Sequence, residues 1–532
     1  MNQAHTFDAD VAIIGYGPSG LAAALCLGHY GIKTVAFERD KDIYPRARAV
    51  TVNDWTMRCF QSLGLDEELA ETMDPTVALR WVTYSGQQIM RMDFPPSRLG
   101  RHPTSYAIYQ PSMEKVLRAA NERHSDCVDV RFGVEVIDLQ QDENGVTVSA
   151  KNLATGDIKT TRARYVLVCD GGASATRERL GIKLIGETRE VKWVVIDARV
   201  KRWWPERHIL TFWSDSKRPV VDIALAQGNH RWEFPLEPHE SEADFSTHEQ
   251  LWTLLNSLGV TSDDVEIHQH AFYRHHVRHA ERWREGRAFL LGDSGHLMPP
   301  WAGAGMQSGI RDAFNITWKL REVLKGRLPA SLLNTYEAER APNVAFYTGV
   351  ALQLGRLIQQ QLSDEELAAM APKPGEPPPE PPLLWNPWYE AGWFTGSVAP
   401  DSAVGKMVPQ PRVGDAHGRL CWLDDQLGSG FTLLGDGVDP RSLLSVEDAD
   451  AWSGLGARYL CVLSPDQRGK GVDDIVDLDG ALLIWMRRFG VKVIALRPDR
   501  FVAATDVGGL SVPDAVGESP NVHITQSVKT TV

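Results

Sequence analysis

The feature that most constrains this chain is Gly15-Tyr16-Gly17-Pro18-Ser19-Gly20, which joins an apolar run to an Ala/Leu-rich stretch. Ala9 to Ile14 reads as a buried strand, Pro18 to Tyr30 as a helix and Lys33 to Phe37 as the next strand. That order is a βαβ unit, and Glu38 closes its second strand. Glycines permit the tight turn and the close backbone approach. The helix N-terminus faces a pyrophosphate, and the carboxylate accepts from a ribose hydroxyl. A dinucleotide site is therefore expected at Gly15, Gly17, Pro18, Ser19, Gly20 and Glu38.

Such a unit needs a larger body around it, and 532 residues supply one with chain to spare for a second unit. From about 190 to 275 the stretches Trp193–Val200, Ile209–Trp213, Val220–Ala226 and Arg231–Phe234 predict an antiparallel sheet able to roof a pocket. Residues 1–370 are expected to interleave the nucleotide-binding and sheet domains, the sheet drawing mainly on 75–125 and 185–280. Prolines between Pro372 and Pro382 exclude helix and strand, so 371–399 reads as a stiff linker. Short strands alternating with helical stretches predict a small α/β domain over 400–532.

The formal charge of −13 argues against general binding to nucleic acid or anionic membrane, although one local Arg can still hold an anionic substrate. No stretch approaches the ~18 apolar residues of a membrane span. Met1 to Asp10 lacks a basic region followed by an apolar one, so the cytoplasm is the expected compartment. The six cysteines include no C-x-x-C pair and read as reduced thiols, with no metal site expected.

A second block, Gly292-Asp293-Ser294-Gly295-His296, follows the apolar strand Ala288–Leu291. Pro299 to Gly309 comes next, with a helix expected from about Ile310. A carboxylate at a strand end can hold a ribityl hydroxyl. The glycines let backbone N–H groups approach a planar ring whose reduced form is anionic, and the helix dipole favours that charge.

With these blocks in place, the chain resembles the single-component FAD-dependent aromatic hydroxylases. Asp170-Gly171-Gly172-Ala173-Ser174-Ala175-Thr176-Arg177 is similar to that family's D-G-x-x-S-x-x-R segment. The resemblance narrows to the 3-(3-hydroxyphenyl)propionate hydroxylase branch through Arg311-Asp312-Ala313-Phe314-Asn315 with Trp318-Lys319-Leu320, Tyr336 to Arg340, and Arg497 to Thr505. It spans nearly the whole chain. It implies an α/β fold in which a Rossmann-like FAD-binding domain is interleaved with an antiparallel-sheet substrate domain. A C-terminal thioredoxin-like α/β domain follows, structural or oligomerising because it lacks a dithiol, and a homodimer is one assembly it allows.

The resemblance further implies noncovalent FAD, NADH or NADPH as transient cosubstrate, and dioxygen. The substrate it implies is a phenolic acid such as 3-(3-hydroxyphenyl)propionate, hydroxylated through a flavin hydroperoxide. It assigns cofactor contacts to Asp170, Arg177, Gly292, Asp293, Pro300, Gly303, Ala304, Gly305 and Met306. Gln110 also matches a flavin-contacting position, as does an Arg after Glu38, for which Arg46 and Arg48 are the candidates; Arg39 is a further expected cofactor residue. Counting without gaps favours Arg48, whereas Pro45-Arg46-Ala47 fits the local wording better. Two departures stand out. Ala302 replaces a common glycine and Gln307 a common Asn, where either could alter the flavin's position or mobility.

Removing a phenol proton makes the ring a better nucleophile, so a His or a Tyr relay is the expected general base. Among His208, His230, Tyr273, His275 and His276, the branch's Tyr-x-His points to Tyr273 and His275. An ordinary surface or satisfied histidine is the plainer reading of each. Other readings stay open: a same-fold flavoenzyme acting on another aromatic, including hydroxylation of a secondary metabolite, halogenation or dehydrogenation, or a non-catalytic flavin-binding sensor. Trp203-Trp204-Pro205 is not the W-x-W-x-I-P pattern of a halogenase.

Overall fold

The computed structural model describes residues 6–370, 384–467, 469 and 471–514; the expected Pro372 to Pro382 connector lies outside the described residues. The apolar run Ala9–Ile14 forms a strand buried on both faces, as the centre of a parallel sheet requires. Five parallel strands run in the order Ala288–Leu290, Ile158–Val168, Ala9–Ile14, Thr34–Glu38 and Val128–Phe132. Ile14 pairs with Val168 on one side and Phe37 on the other, so three carboxyl ends finish level. The chain leaves the central strand there toward one neighbour and returns later on the other side, which opens a crevice beyond the strand ends.

Pro18–His29 is helical because Ala and Leu dominate it, Pro18 occupies the first turn, and Gly31 with φ +66° ends it. It packs against the long helix Gly305–Leu324 and against Gln110–Glu122. The long helix begins about five residues before the expected Ile310, with Ala304 as its N-cap. Gly305 and Gly309, which suggest a loop, form its first turns. Tertiary packing overrides their low helix propensity, because a Cβ on Gly309 would stand 2.2 Å from Ser19 Oγ and 2.9 Å from the Gly292 Cα.

The second sheet follows the order His296–Leu297, Val265–Ala280, Leu184–Val200, Asn229–Pro235, Val220–Leu225, Leu210–Trp213, Ala78–Val82 and Gln88–Asp93. Its pairings are antiparallel except that Leu210–Trp213 runs parallel to Ala78–Val82, a strand from a distant part of the chain. Side chains alternate between two cores. Val194, Ile196, Trp232 and Phe234 pack on the helix His248–Ser257, while Leu79, Trp193, Leu210, Phe212, Val221 and Ile223 face the nucleotide-binding body.

In the C-terminal part, Arg458–Leu463, Thr432–Asp436, Val493–Leu496 and Val502–Thr505 lie side by side. The first pair is parallel and the last two strands join antiparallel, and Asp474–Asp477 continues the seven-stranded sheet in parallel beyond Arg458–Leu463. Helix Val446–Gly454 makes the parallel crossover. Buried charges bind this domain to the body: Arg58 to Asp424 at 2.7 Å, and Arg497 to Glu339 at 2.7 Å, where Lys319 of the body also pairs with Glu339 at 2.8 Å. No helix among the described residues is long and apolar enough to cross a membrane.

Candidate active site

The crevice at the strand ends continues into a deep cleft that reaches the apolar face of the second sheet. Gly17, Pro18 and Ser19 line one end of it, and Arg48, Gln110 and Asp293 stand nearby. Pro300, Gly303, Ala304, Gly305 and Met306 line its middle, and Leu210, Phe212, Val221, Ile223 and Glu233 form the far wall.

The three glycines of the first motif do different work. A Cβ on Gly15, at φ +92°, would lie 2.4 Å from the Cys169 carbonyl oxygen, and one on Gly20 would lie 2.1 Å from the Gly15 carbonyl oxygen. These two are required by backbone contact. A Cβ on Gly17 meets nothing within 4 Å, so the middle glycine faces open space in the cleft. That is the division of labour expected when the second glycine lets backbone approach a pyrophosphate. Neither Gly17 nor Ala304 caps its helix through a side chain, so the first N–H groups of two helices are left for a ligand beside the cleft.

Several expected cofactor residues stand behind the lining and hold it. Glu38 accepts from the Tyr16 N–H at 2.7 Å and the Asp40 N–H at 2.9 Å, which braces the glycine turn. Asp170 accepts from the Thr176 N–H, and buried Arg177 donates to the Gly172 and Ser294 carbonyls, tying its segment to the Asp293 turn. Gly292, at φ +59°, donates its N–H to Asp312 Oδ2 at 3.0 Å. His296 Nε2 (2.7 Å) and Arg340 Nε (2.8 Å) also reach the Asp312 carboxylate, so Asp312 and Arg340 buttress the turn that carries Asp293.

All three expected arginines are exposed; Arg48 also lines the cleft, whereas Arg39 and Arg46 do not, and Arg39 stands 3.8 Å from Asp40. Gln110 Oε1 accepts from the Arg48 and Ala49 N–H groups at 3.0 and 2.7 Å and fixes that segment. Gln307 accepts from the Asn53 N–H and the Thr56 hydroxyl and donates to the Gly303 carbonyl at 2.7 Å, clamping the glycine loop to a neighbouring helix. Ala302 also lines the cleft.

Tyr273 lies on Val265–Ala280, two strands from Glu233, and its hydroxyl donates to Glu233 Oε2 at 2.6 Å. His275 is buried beside it, stacked on Trp193 at 5.2 Å and edge-on to Trp301 at 5.1 Å. Burial, with His276 and Arg189 nearby, pushes its imidazole down to about 4, so it is neutral at pH 7. Trp301 lines the cleft and His275 stands behind it.

Two cleft residues were not among the expected site residues: Arg311, which lies in a motif of the resemblance, and Glu233, which lies in none. Arg311, at 2% exposure, donates through Nη2 to Asn53, Thr56 and Gln307, while its Nε and Nη1 have no hydrogen-bond partner among the described residues. Its guanidinium sits 4.0 Å from the centre of the Trp55 ring. Glu233 is a buried carboxylate on the substrate-sheet side. The available signal was Arg231 and Glu233 at alternate positions of a strand whose neighbours put apolar residues on the same face.

Comparison with known proteins accounts for both parts of the chain. The FAD binding domain family model matches residues 8–348, and the HcaD C-terminal domain model matches 405–511. A 3-(3-hydroxy-phenyl)propionate/3-hydroxycinnamic acid hydroxylase of Burkholderia cenocepacia (strain HI2424) is 35% identical over 518 residues, 94% of each chain. One from Mycobacterium sp. (strain JLS) is 32% identical over 98% of this chain and 93% of its own. Among solved structures, the flavin-dependent monooxygenase PieE in complex with FAD and substrate superposes with a TM-score of 0.78 at 24% identity, covering 96% of this chain and 97% of its own. Aklavinone-11 hydroxylase with FAD and aklavinone gives 0.78 at 21% identity over the same shares. Matched over most of its length by the family model and nearly end to end by those hydroxylases, the chain belongs to the FAD-binding-domain family of flavin-dependent aromatic hydroxylases.

Proposed function

We propose that the protein hydroxylates a phenolic acid such as 3-(3-hydroxyphenyl)propionate, using dioxygen and a reduced nicotinamide, NADH or NADPH. The observation that carries this reading is the continuity of the cleft, from the open space at Gly17 to the wall of Leu210, Phe212, Val221 and Ile223. FAD fits the first part. Gly17, Ser19 and the uncapped helix ends would hold its phosphates, Asp293 its ribityl chain, and Gly303 to Met306 its ring. Bound there, FAD supplies the redox chemistry that accepts hydride and activates dioxygen.

The rest falls to the chain. The apolar wall orients an aromatic ring and excludes water from it. Arg311, a buried cation on the lining of the cleft, favours an anionic group there through its charge. The hydroxylases at 32–35% identity carry names with phenolic acid substrates, which supports the same class here.

The test is a screen of phenolic acids, with polycyclic phenols as a second set, following nicotinamide oxidation together with hydroxylated product. Substrate-dependent oxidation with product in proportion is the expected result. Oxidation with peroxide as the only product would mark that acid as a mimic. No product from any phenol would remove the reading.

A further inference from the structure

Glu233 is the acidic side chain on the substrate-sheet wall of the cleft, among Leu210, Phe212, Val221 and Ile223. A buried carboxylate normally exists to satisfy a buried cation. The obvious cation, Arg231, is already engaged elsewhere. Its Nε and Nη2 bind Asp197 at 2.7 and 2.9 Å, and its Nη1 donates to the Arg48 carbonyl at 3.2 Å. Nη1 is 3.9 Å from Glu233 Oε1, beyond hydrogen-bond reach. Tyr273 donates to Oε2 at 2.6 Å. Glu233 is therefore held in place by one phenol and biased by one cation, and its carboxylate borders the space that a substrate ring would fill.

We infer that Glu233 is the general base that takes the phenolic proton of the substrate, with Tyr273 as its positioning partner. This rests on reading the substrate as a phenol. In the step, the phenolic O–H bond breaks, its electron pair stays on oxygen and enriches the ring, and the proton moves to the Glu233 carboxylate. The charged and titratable groups facing Glu233 are Arg231 beside it, Asp197 beyond Arg231, Tyr273 two strands away and Arg48 on the same cleft. Burial raises the Glu233 carboxyl above its ordinary value, and Arg231 and Tyr273 only partly oppose this, which brings its affinity for a proton closer to that of a phenol. His275, neutral and behind Trp301, is not placed to do the same work.

The experiment compares the FAD-loaded parent with Glu233→Gln on a phenol that the parent hydroxylates, measuring product between about pH 6 and pH 10. Glutamine keeps the shape and the acceptor for Tyr273 but takes no proton. At pH 7 kcat/KM is expected to fall by about 10²–10⁴-fold. The deficit should shrink to within about tenfold near pH 10, where a phenol ionises unaided. Flavin content should match the parent's. A deficit that is the same at every pH, or no deficit, overturns the assignment. A parent that hydroxylates no phenol overturns the functional reading and this assignment with it, so the two failures are distinguishable. Should Glu233→Gln not fold, Tyr273→Phe decides the matter. Loss of that hydrogen bond raises the Glu233 carboxyl further, so the acid limb of kcat/KM moves to higher pH while its plateau persists. An unmoved limb overturns the proposal.

Discussion

Glu339 at the interdomain seam and Glu233 in the cleft are both buried glutamates, yet their surroundings drive them in opposite directions. At the seam, burial pushes the Glu339 carboxyl up, but Arg497 and Lys319 overcome it and hold it at about 2. Its oxygens accept from Arg497 twice, Lys319, Asn315 and the Trp393 N–H, all within 3.1 Å. In the cleft, Glu233 has one phenol as donor and a cation at 3.9 Å, and burial prevails. The seam closes every acceptor position and serves cohesion. The cleft leaves a carboxylate incompletely satisfied, which costs stability and suits a group that must gain and lose a proton.

The contrast between a closed seam and an open cleft can be broken most decisively at Gly17. Because a Cβ there meets nothing, Gly17→Leu is expected to fold and yet lose its flavin, since the side chain fills the space for the pyrophosphate. A yellow Gly17→Leu protein with parental flavin content would show that the cleft is not the cofactor site. At the seam, Glu339→Ala leaves Arg497 and Lys319 buried without their carboxylate and should cost about 3–5 kcal/mol of stability by denaturant unfolding. The folded value of Glu339 lies below the unfolded one. Its stabilisation is therefore present above about pH 4.3 and lost as pH falls toward about 2. The parent should lose this stability on acidification, and the variant, lacking the carboxyl, should not show that increment.

Glu38→Ala should weaken flavin binding by about 1.5–3 kcal/mol by titration of the apoprotein. It removes both a hydroxyl acceptor and the brace on the Tyr16 N–H. Retention equal to the parent's would separate the glycine turn from the cofactor. The smallest effect sharpens the comparison. Glu233→Gln should change stability by less than about 1 kcal/mol, in the stabilising direction at neutral pH. The Glu233 carboxyl is raised on folding, so its ionisation opposes the fold as pH rises through the folded value and is without effect below the unfolded one. A destabilisation as large as that of Glu339→Ala would place Glu233 in the same structural class as the seam.

What the sequence determined by itself is local. A strand, a glycine turn and an Ala/Leu helix within thirty residues specify the nucleotide crevice, and the alternation of Leu210, Phe212, Val221 and Ile223 specifies a sheet with one apolar face. Spacing and composition carry that information because the constraints act between near neighbours. The start of the long helix was not legible, since only contact with Ser19 and Gly292 explains glycines in its first turns. Nor was the function of the wall. Tyr273 and Glu233 are forty residues apart, and Arg231 meets the Ala47 and Arg48 carbonyls across more than 180. Which carboxylate is fully paired and which borders the cleft depends on strand order and on where each guanidinium spends its donors, and those are decided only when distant segments pack.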